Sequence, residues 1–153
     1  MSKVLSLMKS IKYTFNDPSN LDEALTHSSY DNNAKVQNYE RLEFLGDRVL
    51  GLIIASKLYM QNIKSTEGDL AKKLSFLVCK STLKKIANEI QLDKYVKYSK
   101  KVDSLESIKA NALEALIGAI YLDSNLEKTS TVILNLWKNY FDNINLSTFD
   151  PKS

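Results

Sequence analysis

The stretch Asn38-Tyr39-Glu40-Arg41-Leu42-Glu43-Phe44-Leu45-Gly46-Asp47-Arg48-Val49-Leu50 decides how this chain folds. Its apolar side chains recur at the spacing of one helical face, at Leu42, Leu45, Val49 and Ile53. The opposite face carries three acidic residues within an arc of about 60°, namely Glu40, Glu43 and Asp47. Phe44 lies on that acidic face as well. The pattern predicts a long helix that ends near Met60.

The acidic face of this helix has two interpretations. Like charges at this spacing repel one another, and a solvated polar face is the ordinary outcome. However, no lysine follows any of the three acids at the distance of one helical turn, so the acids are not paired along the helix. A cluster of carboxylates without internal cations is what a hard divalent cation such as Mg2+ requires.

Length and composition favour a single, all-α domain. The chain has 153 residues, of which 44% are hydrophobic and 25% charged, as in ordinary globular proteins. It contains only four glycines and two prolines, and its apolar spacing is helical nearly throughout. The net charge of +3 is too small to indicate nucleic-acid binding by itself.

The single cysteine and the single histidine exclude several kinds of site. Cys79 lies in an apolar run, which predicts a buried structural thiol, and one cysteine suits the reducing cytoplasm. His27 alone cannot build a zinc site of several His and Cys ligands, and we interpret it as a hydrogen-bonded structural residue rather than a general base. No signal peptide or membrane span is recognisable. We therefore expect a cytoplasmic protein with no membrane partner and no small-molecule cofactor.

The remaining periodicity predicts six further helices. They cover residues 1–12, 21–26, 66–78, 80–90, 106–124 and a last segment from residue 126. Ser19 or Asn20 would cap the second helix, and Thr66 has the spacing of a capping box with Asp69. Residues 31–37 are expected to form a polar loop. Trp137, in the last helix, is expected in the core or in an interface.

Glu114 is an acid on an otherwise apolar surface. Its helical neighbours are Ala110, Ile117, Gly118 and Tyr121. Burying a carboxylate is costly unless it is compensated, and Lys109 is the only basic residue nearby along the helix. We therefore interpret Glu114 as a metal ligand, with Asn111 one turn earlier able to offer an amide oxygen. Small residues on this helix would allow another helix to approach closely, namely Ala115, Gly118 and Ala119.

Four blocks of the sequence, in order, resemble those of bacterial ribonuclease III. They are Ala24-Leu25-Thr26-His27-Ser28-Ser29-Tyr30, the stretch 38–50, Glu67-Gly68-Asp69-Leu70, and Glu114-Ala115-Leu116-Ile117-Gly118-Ala119-Ile120-Tyr121-Leu122-Asp123. The resemblance covers nearly the whole chain. It implies an all-α nuclease domain of the class I type that works as a homodimer on double-stranded RNA. Residues 1–145 would form this domain, and residues 146–153 a linker towards a double-stranded-RNA-binding domain that is absent from the chain.

The resemblance also implies a role for individual residues. The ligands of Mg2+, or of Mn2+ in its place, would be Glu43, Asp47, Asn111 and Glu114. Asp47 and Glu114 would be catalytic, Glu40 and Glu67 would support the acidic cluster, and Phe44 would plug a socket on the partner subunit. The family usually has Asp where this chain has Asn111, so the site gives up one negative charge, and metal affinity or the occupancy of one ion is expected to be lower.

Basic residues provide a weaker prediction. Lysines alternate with Tyr95 and Tyr98 before the helix of Glu114, a mixture that suits a phosphate backbone, although a solvated loop explains it equally well. The lysines to which we assign RNA contact are Lys72, Lys73, Lys97 and Lys100.

The sequence therefore predicts Mg2+-dependent endonucleolytic hydrolysis of double-stranded RNA, as in the processing of rRNA and mRNA precursors. By resemblance, the products would carry 5′-phosphate and 3′-hydroxyl ends with two-nucleotide 3′ overhangs. One ion would activate a water molecule, and the same or a second ion would stabilise the leaving oxygen. The alternative is a catalytically weakened or inactive module of the same fold that binds double-stranded RNA. A di-metal redox bundle is a remote rival, because such bundles use Glu-x-x-His pairs and His27 is in none.

Overall fold

The described part of the molecule contains helices and connecting loops but no β-strand, which confirms the predicted all-α class. The computed structural model describes residues 2–30, 34–99 and 105–146. Within these ranges the chain forms seven α-helices and a short 3-10 helix, Leu92–Lys94, and only an isolated bridge joins Thr26 to Lys97. The helices are α1 Ser2–Ile11, α2 Pro18–Ala24, α3 Ala34–Gln61, α4 Glu67–Val78, α5 Lys80–Glu89, α6 Leu105–Asp123 and α7 Leu126–Leu146.

Local hydrogen bonds explain where α2 and α4 begin. Asp17 caps α2, because its carboxylate accepts a hydrogen bond of 3.0 Å from the backbone N–H of Ser19. The predicted caps Ser19 and Asn20 are therefore wrong, and α2 begins at Pro18, a residue suited to the first helical position. Thr66 caps α4 as predicted, accepting from the N–H of Asp69 at 3.1 Å.

The helix α3 begins earlier than the sequence suggested. It starts at Ala34, inside the predicted loop 31–37, and it runs to Gln61. No glycine or proline stands at positions 34–37 to stop the helix there. The linker was predicted at 146–153, but α7 continues to Leu146. Residues 147–153 and the lysines at 100 and 101 lie outside the described residues.

The core of the molecule is built around the pair α3 and α6. On α6 every residue from Ala112 to Ile120 is buried, including Glu114, because α2, α3, α5 and α7 pack around it. Trp137 on α7 is fully buried, and its indole N–H donates to the carbonyl oxygen of Leu77 at 2.8 Å. This placement confirms the core interpretation of Trp137. None of the described helices has both the length and the apolar character needed to cross a membrane.

Two glycines bring the backbones of α3 and α6 into direct contact. A Cβ atom on Gly46 would lie 1.7 Å from the carbonyl oxygen of Glu114, and one on Gly118 would lie 2.3 Å from that of Leu42. Neither position can hold any other residue without a shift of backbone. The predicted close approach at Gly118 is confirmed. The contact also sets the position of Glu114 on α6 relative to Asp47 on α3.

Cys79 is exposed, so the predicted buried thiol is wrong. The residue lies at the junction of α4 and α5, where it ends one helix and caps the next. Its thiol donates to the carbonyl oxygen of Phe76 at 3.3 Å. Partial burial acts to raise the pKa of Cys79, but hydrogen bonds from Thr82 and Ser81 outweigh it and lower the pKa.

Candidate active site

Carboxylates from the two central helices converge beside the glycine contact. Glu43 and Asp47 come from α3, and Glu114 comes from the buried middle of α6. Glu114 is only 7% exposed, whereas Asp47 is open to solvent. The carboxyl groups of Asp47 and Glu114 lie within hydrogen-bonding reach of each other. The structure thus brings together acids that are 67 positions apart in the sequence, 47 and 114.

The electrostatics of this cluster keep one proton on it near neutral pH. Burial, then the hydrogen bond and the charge of Asp47, raise the pKa of Glu114 to about 8. Burial also raises the pKa of Glu43, and the charges of Glu40 and Asp47 add to that effect. These carboxyls repel one another when all are ionised. A bound cation would remove that repulsion and release the proton.

Lys80 is a member of the site that the sequence interpretation missed. Its ammonium group donates a hydrogen bond of 2.7 Å to the amide oxygen of Asn111. Its charge also acts to lower the pKa of both Glu43 and Glu114. Lys109, the basic neighbour of Glu114 along the helix, instead pairs with Glu106 at 3.2 Å. The signal that was available is a lysine at the first position of a helix, where the helix dipole disfavours a cation.

Tyr39 places a buried hydroxyl group beside the same carboxylates. The side chain is fully buried, and its hydroxyl has no hydrogen-bond partner among the described residues. Burial and the charges of Glu43 and Glu114 raise the pKa of this phenol. An unpaired buried hydroxyl is unfavourable, so this atom is available to a hydrated ligand that enters the site.

We expect Tyr39→Phe to stabilise the metal-free protein by about 1 kcal/mol, because the substitution removes a buried hydroxyl that makes no hydrogen bond. Urea unfolding in EDTA measures the change. Tyr140→Phe is the matched control, because the hydroxyl of Tyr140 donates to Glu89 at 2.7 Å and its removal is not expected to stabilise. A Tyr39→Phe protein less stable than wild type would contradict the assignment.

The donor set fits a hard divalent cation in its chemistry. Among the described residues, no three Asp, Glu, His or Cys side chains alone are clustered tightly enough to hold a metal ion. A bound ion would therefore have to draw its donors closer together, from the carboxylates of Glu43, Asp47 and Glu114 and the amide oxygen of Asn111. All of these are oxygen donors, which Mg2+ and Mn2+ prefer, and the pKa of Glu114 stays raised by burial and by Asp47 although the charge of Lys80 opposes that change.

The other predicted acidic residues lie further from this centre. Glu40 is exposed, and its charge still reaches Glu43. Glu67 is exposed in the first turn of α4, where it interacts favourably with the helix dipole, and it is not among the groups that act on the pKa of Glu43 or Glu114. Its supporting role stays a prediction.

Phe44 stands out from the surface next to the carboxylates. Its side chain is 65% exposed, which is unusual for a large apolar residue. The guanidinium of Arg48 lies 5.3 Å from the centre of the Phe44 ring and 3.8 Å from a carboxylate oxygen of Asp47. Arg48, to which the sequence assigned no role, thus links the exposed ring to the acidic cluster.

The predicted RNA-contacting lysines have different surroundings. Lys73 donates to the side-chain oxygen of Asn62 at 2.9 Å, and Lys97 pairs with Asp22 at 3.2 Å. Lys72 is exposed on α4. None of these three lies among the groups that act on Glu114, so RNA contact by them stays a prediction, as does contact by Lys100.

His27 has a structural environment. Its Nδ1 atom accepts a hydrogen bond of 3.0 Å from the backbone N–H of Ser29, and its ring packs edge-on against Tyr39 with 5.1 Å between the ring centres. Burial lowers the pKa of His27, although the charge of Glu40 opposes that change. The interpretation as a hydrogen-bonded structural residue is confirmed.

Nuclease domains are among the solved structures that this chain resembles. Two structures of the nuclease domain of ribonuclease III from Campylobacter jejuni superpose on this chain with TM-scores of 0.84 and 0.83 at 38% and 36% sequence identity. They cover 91% and 98% of this chain, and 99% and 100% of their own chains are matched. The helical fold and the site between its central helices therefore define an all-α nuclease domain.

Sequence comparison narrows this class to one family. The Ribonuclease-III-like family profile matches residues 17–140. Ribonuclease 3 of Pelagibacter ubique is 42% identical over 153 residues, which cover 97% of this chain and 68% of that protein. The chain belongs to the ribonuclease III family, and it is an endoribonuclease. The family predicted from the four sequence blocks is confirmed.

Proposed function

We propose that this protein hydrolyses phosphodiester bonds within double-stranded RNA, in the processing of rRNA and mRNA precursors, with Mg2+ or Mn2+ as cofactor. The observation that carries the proposal is the convergence of Asp47 and Glu114 across the contact between α3 and α6, with the pKa of Glu114 raised to about 8. The proposed products have 5′-phosphate and 3′-hydroxyl ends with two-nucleotide 3′ overhangs. The single cysteine is consistent with action in the reducing cytoplasm.

The chain contributes positioning and charge to this reaction. When bound, Mg2+ supplies a Lewis acid that lowers the pKa of a water molecule and neutralises charge on the phosphate. Asp47 and Glu114 would hold the ion from two helices whose separation is fixed by the glycine contact. Glu43, which is half-buried, would complete the carboxylate set together with the amide of Asn111. Asp47 remains open to solvent, so an RNA backbone can reach it.

A specific observation favours a second candidate, a weakened or inactive module that binds double-stranded RNA. The oxygen that Asn111 would offer to a metal ion is hydrogen-bonded to Lys80. This position also lacks the negative charge of the family's usual Asp. Binding without cleavage would rely on the shape and the phosphates of the A-form duplex.

Cleavage of a long labelled RNA duplex tests both functions. The assay compares reactions with Mg2+ and with EDTA, uses single-stranded RNA of the same sequence as control, and includes Asn111→Asp. Metal-dependent fragments from the duplex alone support the nuclease. Duplex binding without fragments at any Mg2+ concentration supports the module, and recovery of cleavage in Asn111→Asp would then identify position 111 as the cause.

We also propose that the protein acts as a homodimer through α3. Three of the exposed large apolar side chains of this helix share one side of it, at Phe44 (65%), Leu52 (54%) and Tyr59 (73%). An adjoining groove of about 840 Å³ is lined in part by Leu42, Leu45 and the exposed Leu122. One of the C. jejuni structures was described for flexibility in a region involved in dimer formation. A partner's aromatic ring would occupy part of such a groove.

We expect Phe44→Ala to weaken the dimer by about 2 kcal/mol or more, as for a central aromatic of an interface. Sedimentation equilibrium of both proteins over a range of concentrations measures the dissociation constant. Leu5→Ala is the control, because Leu5 is a similarly exposed apolar residue on α1 (50%), away from α3. Equal dissociation constants for wild type and Phe44→Ala would place the interface elsewhere.

A further inference from the structure

The contact between Lys80 and Asn111 joins a cation to a proposed metal ligand. The ammonium nitrogen lies 2.7 Å from the amide oxygen, so the lysine occupies one of the two lone-pair directions of the oxygen that Asn111 would offer to a metal ion. The two residues come from different helices, α5 and α6, and are 31 positions apart. This contact is therefore a product of the tertiary fold and not of local helix geometry.

The position of Lys80 is costly for a lysine unless anions lie close by. It is the first residue of α5, where the helix dipole is positive, and Cys79 provides no side-chain cap there. The ammonium group is hydrogen-bonded to Asn111, and its charge also acts to lower the pKa of Glu43 and Glu114. The cluster supplies the negative charge that this helix terminus lacks.

A lysine side chain is suited to occupy a cation-binding position and to leave it again. Its ammonium group is a compact, strongly hydrated charge with three donors, and its flexible stem lets the charge move. Lys80 is exposed, so it can leave towards solvent without opening the core. An arriving divalent ion would meet a positive charge already in the site.

We infer that Lys80 is the resident cation of the carboxylate site, holding the oxygen of Asn111 until a divalent ion displaces it. The inference rests on the proposed metal-dependent function and adds a regulatory element to it. Together with the neutral Asn111, Lys80 raises the concentration of metal needed to fill the site. Lys80 thus stabilises the carboxylate site in the absence of metal, and it lowers the affinity of that site for a metal ion.

Metal titration without RNA tests the inference. We expect Lys80→Met to bind Mn2+ about tenfold more tightly than wild type by calorimetry, because removal of a nearby like charge favours the divalent ion. Lys80→Arg, which keeps the charge, should stay close to wild type. Lys85→Met, on the exposed side of the same helix, is the matched control. Unchanged or weaker binding by Lys80→Met overturns the inference.

Thermal unfolding in EDTA at pH 8 provides a readout that needs no metal. Lys80→Met should melt below wild type, because the ionised carboxylates lose their counter-ion, whereas Lys85→Met should not. An unchanged melting temperature for Lys80→Met overturns the resident-cation assignment. Absence of Mn2+ binding in every variant would instead overturn the proposed metal dependence, and a lower melting temperature of Lys80→Met would then still support Lys80 as the counter-ion.

Discussion

Glu114→Gln is expected to reduce RNA cleavage strongly and, at the same time, to make the metal-free protein more stable at pH 8. The pKa of Glu114 is raised to about 8 in the fold, chiefly by burial and then by Asp47. In the unfolded chain the same carboxyl has its ordinary pKa of about 4.3. Between these two values the folded state binds more protons, so the free energy of unfolding falls as the pH rises. A glutamine has the same shape but does not titrate, so it removes this contribution to the fall in the free energy of unfolding.

Unfolding by urea in EDTA between pH 4.5 and about pH 8 measures this linkage, with a slope of at most about 1.4 kcal/mol per pH unit from one group. Wild type should lose stability through this range, and Glu114→Gln should lose less. Glu127→Gln replaces an exposed acid at the start of α7 and should keep the wild-type slope. A Glu114→Gln protein with the wild-type slope would show that another group carries the proton.

The same variant should lose cleavage by about a hundredfold or more, because it removes a carboxylate that would hold the ion which neutralises charge on the phosphate. Stability and activity would then change in opposite directions, which is the behaviour of a strained functional residue and not of a structural one. Duplex cleavage under saturating Mg2+ measures the loss. Full cleavage by Glu114→Gln would exclude Glu114 from the chemistry.

The sequence predicted correctly the features that depend on the residues of a single helix. Helical periodicity located α3 and α6, and it placed Glu43 and Asp47 on one face of α3 because both lie on the same element. Glu114 was identified because an acid among apolar neighbours needs an explanation on its own helix. The small residue Gly118 signalled a close helix contact, which the structure places at Leu42.

The features that escaped prediction depend on the meeting of distant segments. Nothing in the order of residues indicates that Lys80 would reach Asn111, since α5 and α6 are joined only through a long connection. Cys79 looked buried because its apolar neighbours precede it, yet it falls at a junction between helices. The cap of α2 was misplaced because three polar residues compete there, and only the backbone geometry selects Asp17.

Gly46→Ala is expected to destabilise the protein by about 3 kcal/mol or more, because the added methyl group overpacks a contact between two backbones. The Cβ atom would lie 1.7 Å from the carbonyl oxygen of Glu114 and 2.7 Å from its carbonyl carbon. Neither atom belongs to a side chain that can rotate away, so α3 and α6 must separate. That separation also draws Asp47 away from Glu114. We expect a lower urea midpoint and, in any folded fraction, weaker cleavage.

Gly51→Ala separates this contact from the general effect of replacing glycine. Gly51 lies on the same helix, and a Cβ atom there would meet nothing within 4 Å. In a helix interior, alanine is favoured over glycine by about 0.5 to 1 kcal/mol, so Gly51→Ala should raise the free energy of unfolding. The same substitution in one helix thus has opposite signs at positions 46 and 51. Helix propensity contributes equally to both variants. The difference between their free energies of unfolding therefore measures the backbone contact that aligns the carboxylates. Stabilisation by both variants would refute that contact.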